Sequence, residues 1–204
     1  MARRGDELRE HILFTAKNVF LETGFERTSM DQLAARAETS KRTLYAHFES
    51  KDKLFLAVVD LVRRLYLDRL GTPGDYAEDP AEAAVLYCGR FLQTLLWEPT
   101  LRMCRMGIAE AERLPEASAR YHEAVIGSAH ARLAGFLGES CRLGPQDADR
   151  VADDLLARTV HPRFLRALFG MEQLATERPE PATIAADVDL APIRAALAAA
   201  LPAR

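Results

Sequence analysis

Between Ser40 and Lys51 the sequence reads SKRTLYAHFESK, and besides its two serines the side chains of Lys41, Arg42, Thr43, Tyr45, His47 and Lys51 can donate hydrogen bonds. Leu44 and Phe48 lie four apart, which puts both on one helix face. The polar residues must then point elsewhere. Arg and Lys can donate to guanine O6 and N7, and the Thr43 methyl can meet a thymine methyl in a major groove. Tyr45, His47 and Lys51 have the chemistry to donate to phosphates, as do the amide ends of helices starting at Ser29 and Ser50. The plain alternative is a charged helix face doing no more than meeting solvent.

The elements that would position these residues follow from periodicity. Leu8, Ile12, Leu13, Ala16, Val19 and Phe20 recur at helical spacing and stop at Gly24, which can take the left-handed conformation after a helix end. Ser29 with Gln32 three residues on is a capping-box pattern, starting a helix of about two turns through Ala37. Ser40 can cap the next, to about His47, and Ser50 a fourth with Leu54, Phe55, Val58, Leu61, Val62 and Leu65 as its buried stripe. Two short helices joined by a tight turn and braced by longer ones form a helix-turn-helix, whose second helix lies in the major groove. Beyond it, GTPGDYAEDP (71–80) reads as a linker between two units. Pro80, Pro99, Pro115 and Pro145 each suit a first helical position, dividing the remainder into helices near 80–97, 99–112, 115–141 and 145–160. His161-Pro162 breaks or kinks the last of these. TERPEPAT is a second loop, and DLAPIRAALAAAL a final Ala-rich helix.

Composition narrows the classes. A chain of 204 residues, 49% hydrophobic and 28% charged, has enough apolar material for a core and excludes disorder throughout. Aromatics at 7% leave little for a large sheet, so an all-α fold is expected. No window approaches the roughly 20 apolar residues of a membrane span, and the N-terminus lacks a signal-peptide apolar run, so a cytoplasmic protein is expected. Residues 1–55 carry ten Lys/Arg against nine Asp/Glu, a balance of +1, leaving −4 of the total −3 to the rest. With so weak an asymmetry, a DNA partner must be argued from where charges sit, and a helical scaffold for another protein stays open. Cys88, Cys104 and Cys141 are odd in number with no CxxC, arguing against disulfides and zinc. HEAVI at 122–126 lacks the second His of a metalloprotease helix, and His122 and His130 have no third ligand in sequence reach. With no glycine-rich phosphate loop and no GxSxG, the expectation is no enzyme, no metal and no cofactor.

From about Arg9 to Leu56 the chain resembles the DNA-binding signature of the tetracycline repressor (TetR) family. Gly24-Phe25, Thr28, Leu33-Ala34, Ala37, Ser40, Thr43-Leu44-Tyr45, His47-Phe48, Ser50-Lys51 and Leu54-Phe55 carry the likeness. Glu38 departs from it, where many members have Gly, and so does Thr39, where Val is common. The resemblance implies a three-helix DNA-binding head (1–55), then a helical effector-binding and dimerisation domain (56–204). It places base contacts on Lys41, Arg42 and Thr43 and phosphate contacts on Thr28, Tyr45, His47 and Lys51. With the capping residues Ser29 and Ser40 these are the candidate DNA-binding set. The implied protein is a homodimeric transcriptional regulator, usually a repressor, released from DNA by a small, largely apolar effector. Two heads on a two-fold axis would read a palindromic operator in double-stranded DNA.

The second half, from LRMCRMGIAEAERLPE and RYHEA to Arg166–Gly170, resembles the C-terminal domain of the AefR-like subgroup. An effector pocket should be mostly apolar with a few polar anchors. Tyr87, Phe91, Trp97, Met103, Met106 and Tyr121 supply rings and sulfurs, with Glu110 and His122 as polar candidates, although apolar residues at this spacing are usually core. Leu155, Leu156, Phe164, Leu165 and Leu168, with Ile193, Leu197 and Leu201, offer faces for a four-helix interface between two chains, or for packing within one.

Overall fold

The computed structural model describes residues 2–177 and 186–201. Its elements are all helical: α1 (Ala2–Thr23), α2 (Met30–Arg36), α3 (Lys41–His47), α4 (Lys51–Leu70), a 3₁₀ turn (Pro73–Asp75), α5 (Pro80–Leu96), α6 (Glu98–Ala109), α7 (Pro115–His122), a π turn (Glu123–Gly127), α8 (Ser128–Ser140), α9 (Pro145–Val160), α10 (Arg163–Leu168) and α11 (Ala191–Ala200). Among the described residues the β content is one isolated bridge, Trp97 with Ala175. Most of the TERPEPAT loop lies outside the described residues.

Two compact units result, and their limits differ from a division at residue 55. The first holds residues 1–65 together with 102–124; the second holds 66–101 and 125–204. Residue 55 falls inside α4, which runs on for four more turns' worth of apolar stripe, so no packing boundary is available there. GTPGDYAEDP is not a separator either. Pro73 is buried, Thr72 and Asp75 close a capping box around the 3₁₀ turn, the Tyr76 hydroxyl donates to the Leu70 carbonyl, and Arg132 donates to that of Gly71. Gly and Pro there build a compact corner of the second unit.

In the first unit, α1 buries Ile12, Leu13, Ala16, Val19 and Phe20, the stripe its periodicity foretells. Phe20 meets Phe55 edge-on at 5.4 Å and Phe25 packs 4.8 Å from Phe55, so three rings join α1, its following turn and α4. The α2–α3 corner is closed by Leu33, Ala34, Leu44 and Phe48, all buried.

In the second unit, α5 is buried nearly all round, and α8, α9 and α11 pack on it and on one another. Leu155, Leu156, Ile193 and Leu197 are buried here inside a single chain. Phe164 and Leu168 pack against an internal cluster of Leu92, Leu96, Leu101 and Ala167. The first four are thus covered by the chain's own helices, while Phe164 and Leu168 are half-buried. Leu201 is half-buried, and Leu165 stands out, 47% exposed. The expected single helix over 115–141 is interrupted by the π turn, and α9 ends at Val160 before Pro162.

Candidate nucleic-acid interface

The corner between α2 and α3 is built by caps at every end. Ser29 accepts from the Gln32 amide at 3.1 Å, Ser40 from that of Thr43 at 3.0 Å, and Ser50 from that of Lys53 at 3.1 Å. At the end of α2, Thr39 N–H donates to Ala34 O (3.0 Å) and Glu38 N–H to Ala35 O (3.2 Å), the paired bonds of a Schellman motif. Glu38 sits at its left-handed position with φ 50°. The geometry that usually recruits Gly is therefore present, with Glu in it.

Leu44 and Phe48 anchor α3, leaving Lys41, Arg42 and Tyr45 exposed and Thr43 and His47 half-buried. Thr43 shares a 2.7 Å hydrogen bond with Ser40 through their hydroxyls. Lys41 is not a bare cation: its ammonium lies 2.9 Å from an Asp31 oxygen. Arg42 beside it has no partner among the described residues.

Two members of the candidate set have other work. Thr28 is buried, its hydroxyl donating to Gly24 O at 2.6 Å and sharing a 2.7 Å bond with Thr23. Lys51 Nζ donates to the carbonyls of Phe25 (2.9 Å), Glu26 (3.3 Å) and Thr28 (2.9 Å), using all three ammonium hydrogens. Burial lowers its pKa below the ordinary lysine value, and the nearby Arg113 charge adds to the shift. Both residues shape the turn before α2 instead of reaching outward. Sequence shows that a side chain can donate; it does not show which acceptor is already in place.

The structure adds residues that no spacing indicated. Arg9 stacks its guanidinium 4.9 Å over Phe48 and is itself exposed beside the end of α3. Phe25 meets two cations, Lys51 Nζ 4.3 Å from its ring centroid and Arg113 at 4.6 Å, with Arg113 held by Glu110 at 2.9 Å. Arg120 pairs with Asp60 at 3.2 Å, so residues 102–124 grip the head at several points. The Arg113–Phe25 and Arg120–Asp60 contacts join residues 88 and 60 positions apart, beyond the reach of any local pattern.

The effector candidates divide between the units. Tyr87 and Phe91 are buried in the second, the Tyr87 hydroxyl donating to Ala129 O at 3.1 Å. Trp97 lies there too, Arg69 stacked 4.5 Å over its ring and its buried Nε1 without a hydrogen-bond partner among the described residues. Met103, Met106, Glu110, Tyr121 and His122 belong to the first unit. Met106 and Glu110 line a cleft of about 460 Å³ between the end of α1 and α6, which also exposes Arg27, Arg102 and Arg105. Glu110, 8% exposed, is the anchor of Arg113; Tyr121 is buried with its hydroxyl 3.7 Å from Cys104 Sγ; His122 is exposed. Among the described residues no group of three His, Cys, Asp or Glu side chains could hold a metal ion. No described helix is long and apolar enough to cross a membrane.

Residues 12–58 match the model for bacterial regulatory proteins of the tetR family, and residues 85–191 match that for the C-terminal domain of the AefR-like transcriptional repressor. The HTH-type transcriptional activator FasR of Mycolicibacterium smegmatis is 46% identical over 54 residues, 26% of this chain and 25% of FasR. The chain spans about a quarter of the length of that and the next curated relatives it matches. TcmR of Streptomyces glaucescens is 26% identical over 200 residues, 95% of this chain and 80% of TcmR. A TetR-family crystal structure from Mesorhizobium loti superposes with TM-score 0.77 at 22% identity, covering 97% of this chain and 96% of that one; it shares the fold.

Proposed function

Because this chain belongs to the tetR family of bacterial regulatory proteins and carries an AefR-like C-terminal domain, we propose that it is a DNA-binding transcriptional regulator that works as a homodimer and answers to a small molecule. The observation that carries the reading is α3 itself. Its apolar pair is buried while Lys41, Arg42 and Tyr45 are exposed on a helix fixed at both ends by caps. Capped rigidity holds donors at one register along a groove, which is what base reading requires. Arg42 is the principal base reader, with Lys41 and the Thr43 methyl beside it; Tyr45 and His47 hold phosphates. Thr28 and Lys51 position the turn, and Ser29 and Ser40 hold the helix ends.

Repression, by release of a palindromic operator when effector binds, is the mode proposed. A ligand can shift the two heads only by binding one of their arrangements better than the other. The Trp97 Nε1–H, buried and without an acceptor, supports an effector that brings one, a carbonyl or ether oxygen on an otherwise apolar body. Two protomers meet through the apolar surface left uncovered around α10.

Selecting bound sequences from a random duplex pool, then titrating the winner across a salt series, tests the reading. A palindromic winner is expected, bound by two chains with affinity falling steeply as salt rises. Arg42→Ala should relax specificity at one position by about 1–3 kcal/mol, while Tyr45→Phe weakens all duplexes alike. A pool with no enriched sequence would overturn it in favour of a scaffold that binds protein.

A further inference from the structure

We propose that Asp31 is a specificity-determining residue of the reading head, holding the Lys41 ammonium so that it serves a base edge and not whichever phosphate comes within reach. The proposal rests on the DNA-binding reading above. Asp31 is in the first turn of α2 and Lys41 opens α3, so the pair spans the helix-turn-helix corner. Lys41 Nζ lies 2.9 Å from Oδ1 and 3.0 Å from Oδ2, engaging both oxygens. The side chains are 71% and 52% exposed, so the pair is a surface device and contributes little to holding the core.

Lysine by itself discriminates poorly. Its ammonium is a compact charge on a flexible four-carbon stem, and any phosphate oxygen satisfies it. Fixed on a carboxylate it keeps one position and has fewer hydrogens to give. A phosphate approaching it must also approach the Asp31 charge, which repels an anion, whereas guanine O6 and N7 belong to a neutral base. Carboxylate and ammonium together therefore favour an uncharged acceptor over an anionic one. The hydrogen bond to Asp31, then its charge, raises the Lys41 pKa above the ordinary value, so the pairing favours the charged ammonium.

Arg42, with no such partner among the described residues, keeps all its donors for the groove, so Asp31 acts on Lys41 and not on the principal base reader.

The test compares the full-length wild type with D31N, D31E, K41A and D31N/K41A, by fluorescence anisotropy on the selected duplex and a scrambled duplex of equal length, across a salt series. Circular dichroism melts check that each variant is folded. D31N should tighten the scrambled duplex about two- to five-fold and the selected one less, narrowing the ratio. D31E should restore a ratio near wild type, and D31N should leave the ratio unchanged in the K41A background. If D31N tightens both duplexes equally, or acts as strongly without Lys41, Asp31 is part of the general field and the proposal falls while the DNA reading stands. If the wild type binds no duplex in a salt-dependent way, the DNA reading falls and takes this proposal with it.

Discussion

Glu38 occupies a left-handed position, φ 50°, where a side chain crowds the following carbonyl and glycine does not. Glu38→Gly should stabilise the protein by about 0.5–1 kcal/mol in denaturant unfolding, the relief of strain outweighing glycine's greater entropy loss. It also removes an anion beside α3 and should strengthen duplex binding. Glu38→Gln should reproduce the second effect without the first. The departure at this position was visible as a sequence anomaly, and the Schellman bonds around it explain its cost. The cysteines make a second case. Burial pushes the Cys88 thiol up to about 12 and that of Cys104 to about 11, from 9.0. Both should resist a thiol reagent in the native state and react after unfolding, with half-buried Cys141 modified first. Because folding raises both pKa values, their contribution to stability is whole below about pH 9 and should be lost as pH climbs towards 11–12, measurable in alkaline melts. Sequence reported these residues' types; their neighbours, and hence Lys51's three carbonyls, came only with the fold.

At the scale of elements, the turn between α1 and α2 is held by side chains instead of regular structure. Lys51→Met should free three carbonyls and cost about 1–2 kcal/mol, partial solvation of the ammonium keeping the loss small. It should weaken duplex binding without changing the preferred sequence, since the turn sets where α2 and α3 begin. Anisotropy on the selected and scrambled duplexes checks this, and a changed preference would return Lys51 to direct readout. Helix starts were legible because Ser29, Ser40, Ser50, Pro80, Pro115 and Pro145 have local reasons to begin a helix. The π turn at 123–127 was not, since Val125, Ile126 and Gly127 lower helix propensity without indicating a wider turn.

For the whole molecule, the surface left to a partner chain is smaller than the apolar stripes implied. Periodicity says that Leu155, Leu156, Ile193 and Leu197 are covered, but not by which chain, and here the same chain covers them. Among the described large apolar residues of the second unit, those left exposed are Leu165, 47%, Phe169, 81%, and Met171, 61%. Phe169→Asp should shift the protein from dimer to monomer in sedimentation while its helical content holds; an unchanged dimer would place the interface elsewhere. The two cations on Phe25 bear on how such regulators can be recombined. One, Lys51, comes from the first 55 residues and the other, Arg113, from a stretch about sixty positions later. A chimera grafting residues 1–55 onto a foreign C-terminal half would therefore inherit an aromatic ring with one cation missing. Transplants that carry 102–124 along with 1–65 keep both cations, so a segment set that preserves this contact is discontinuous in sequence.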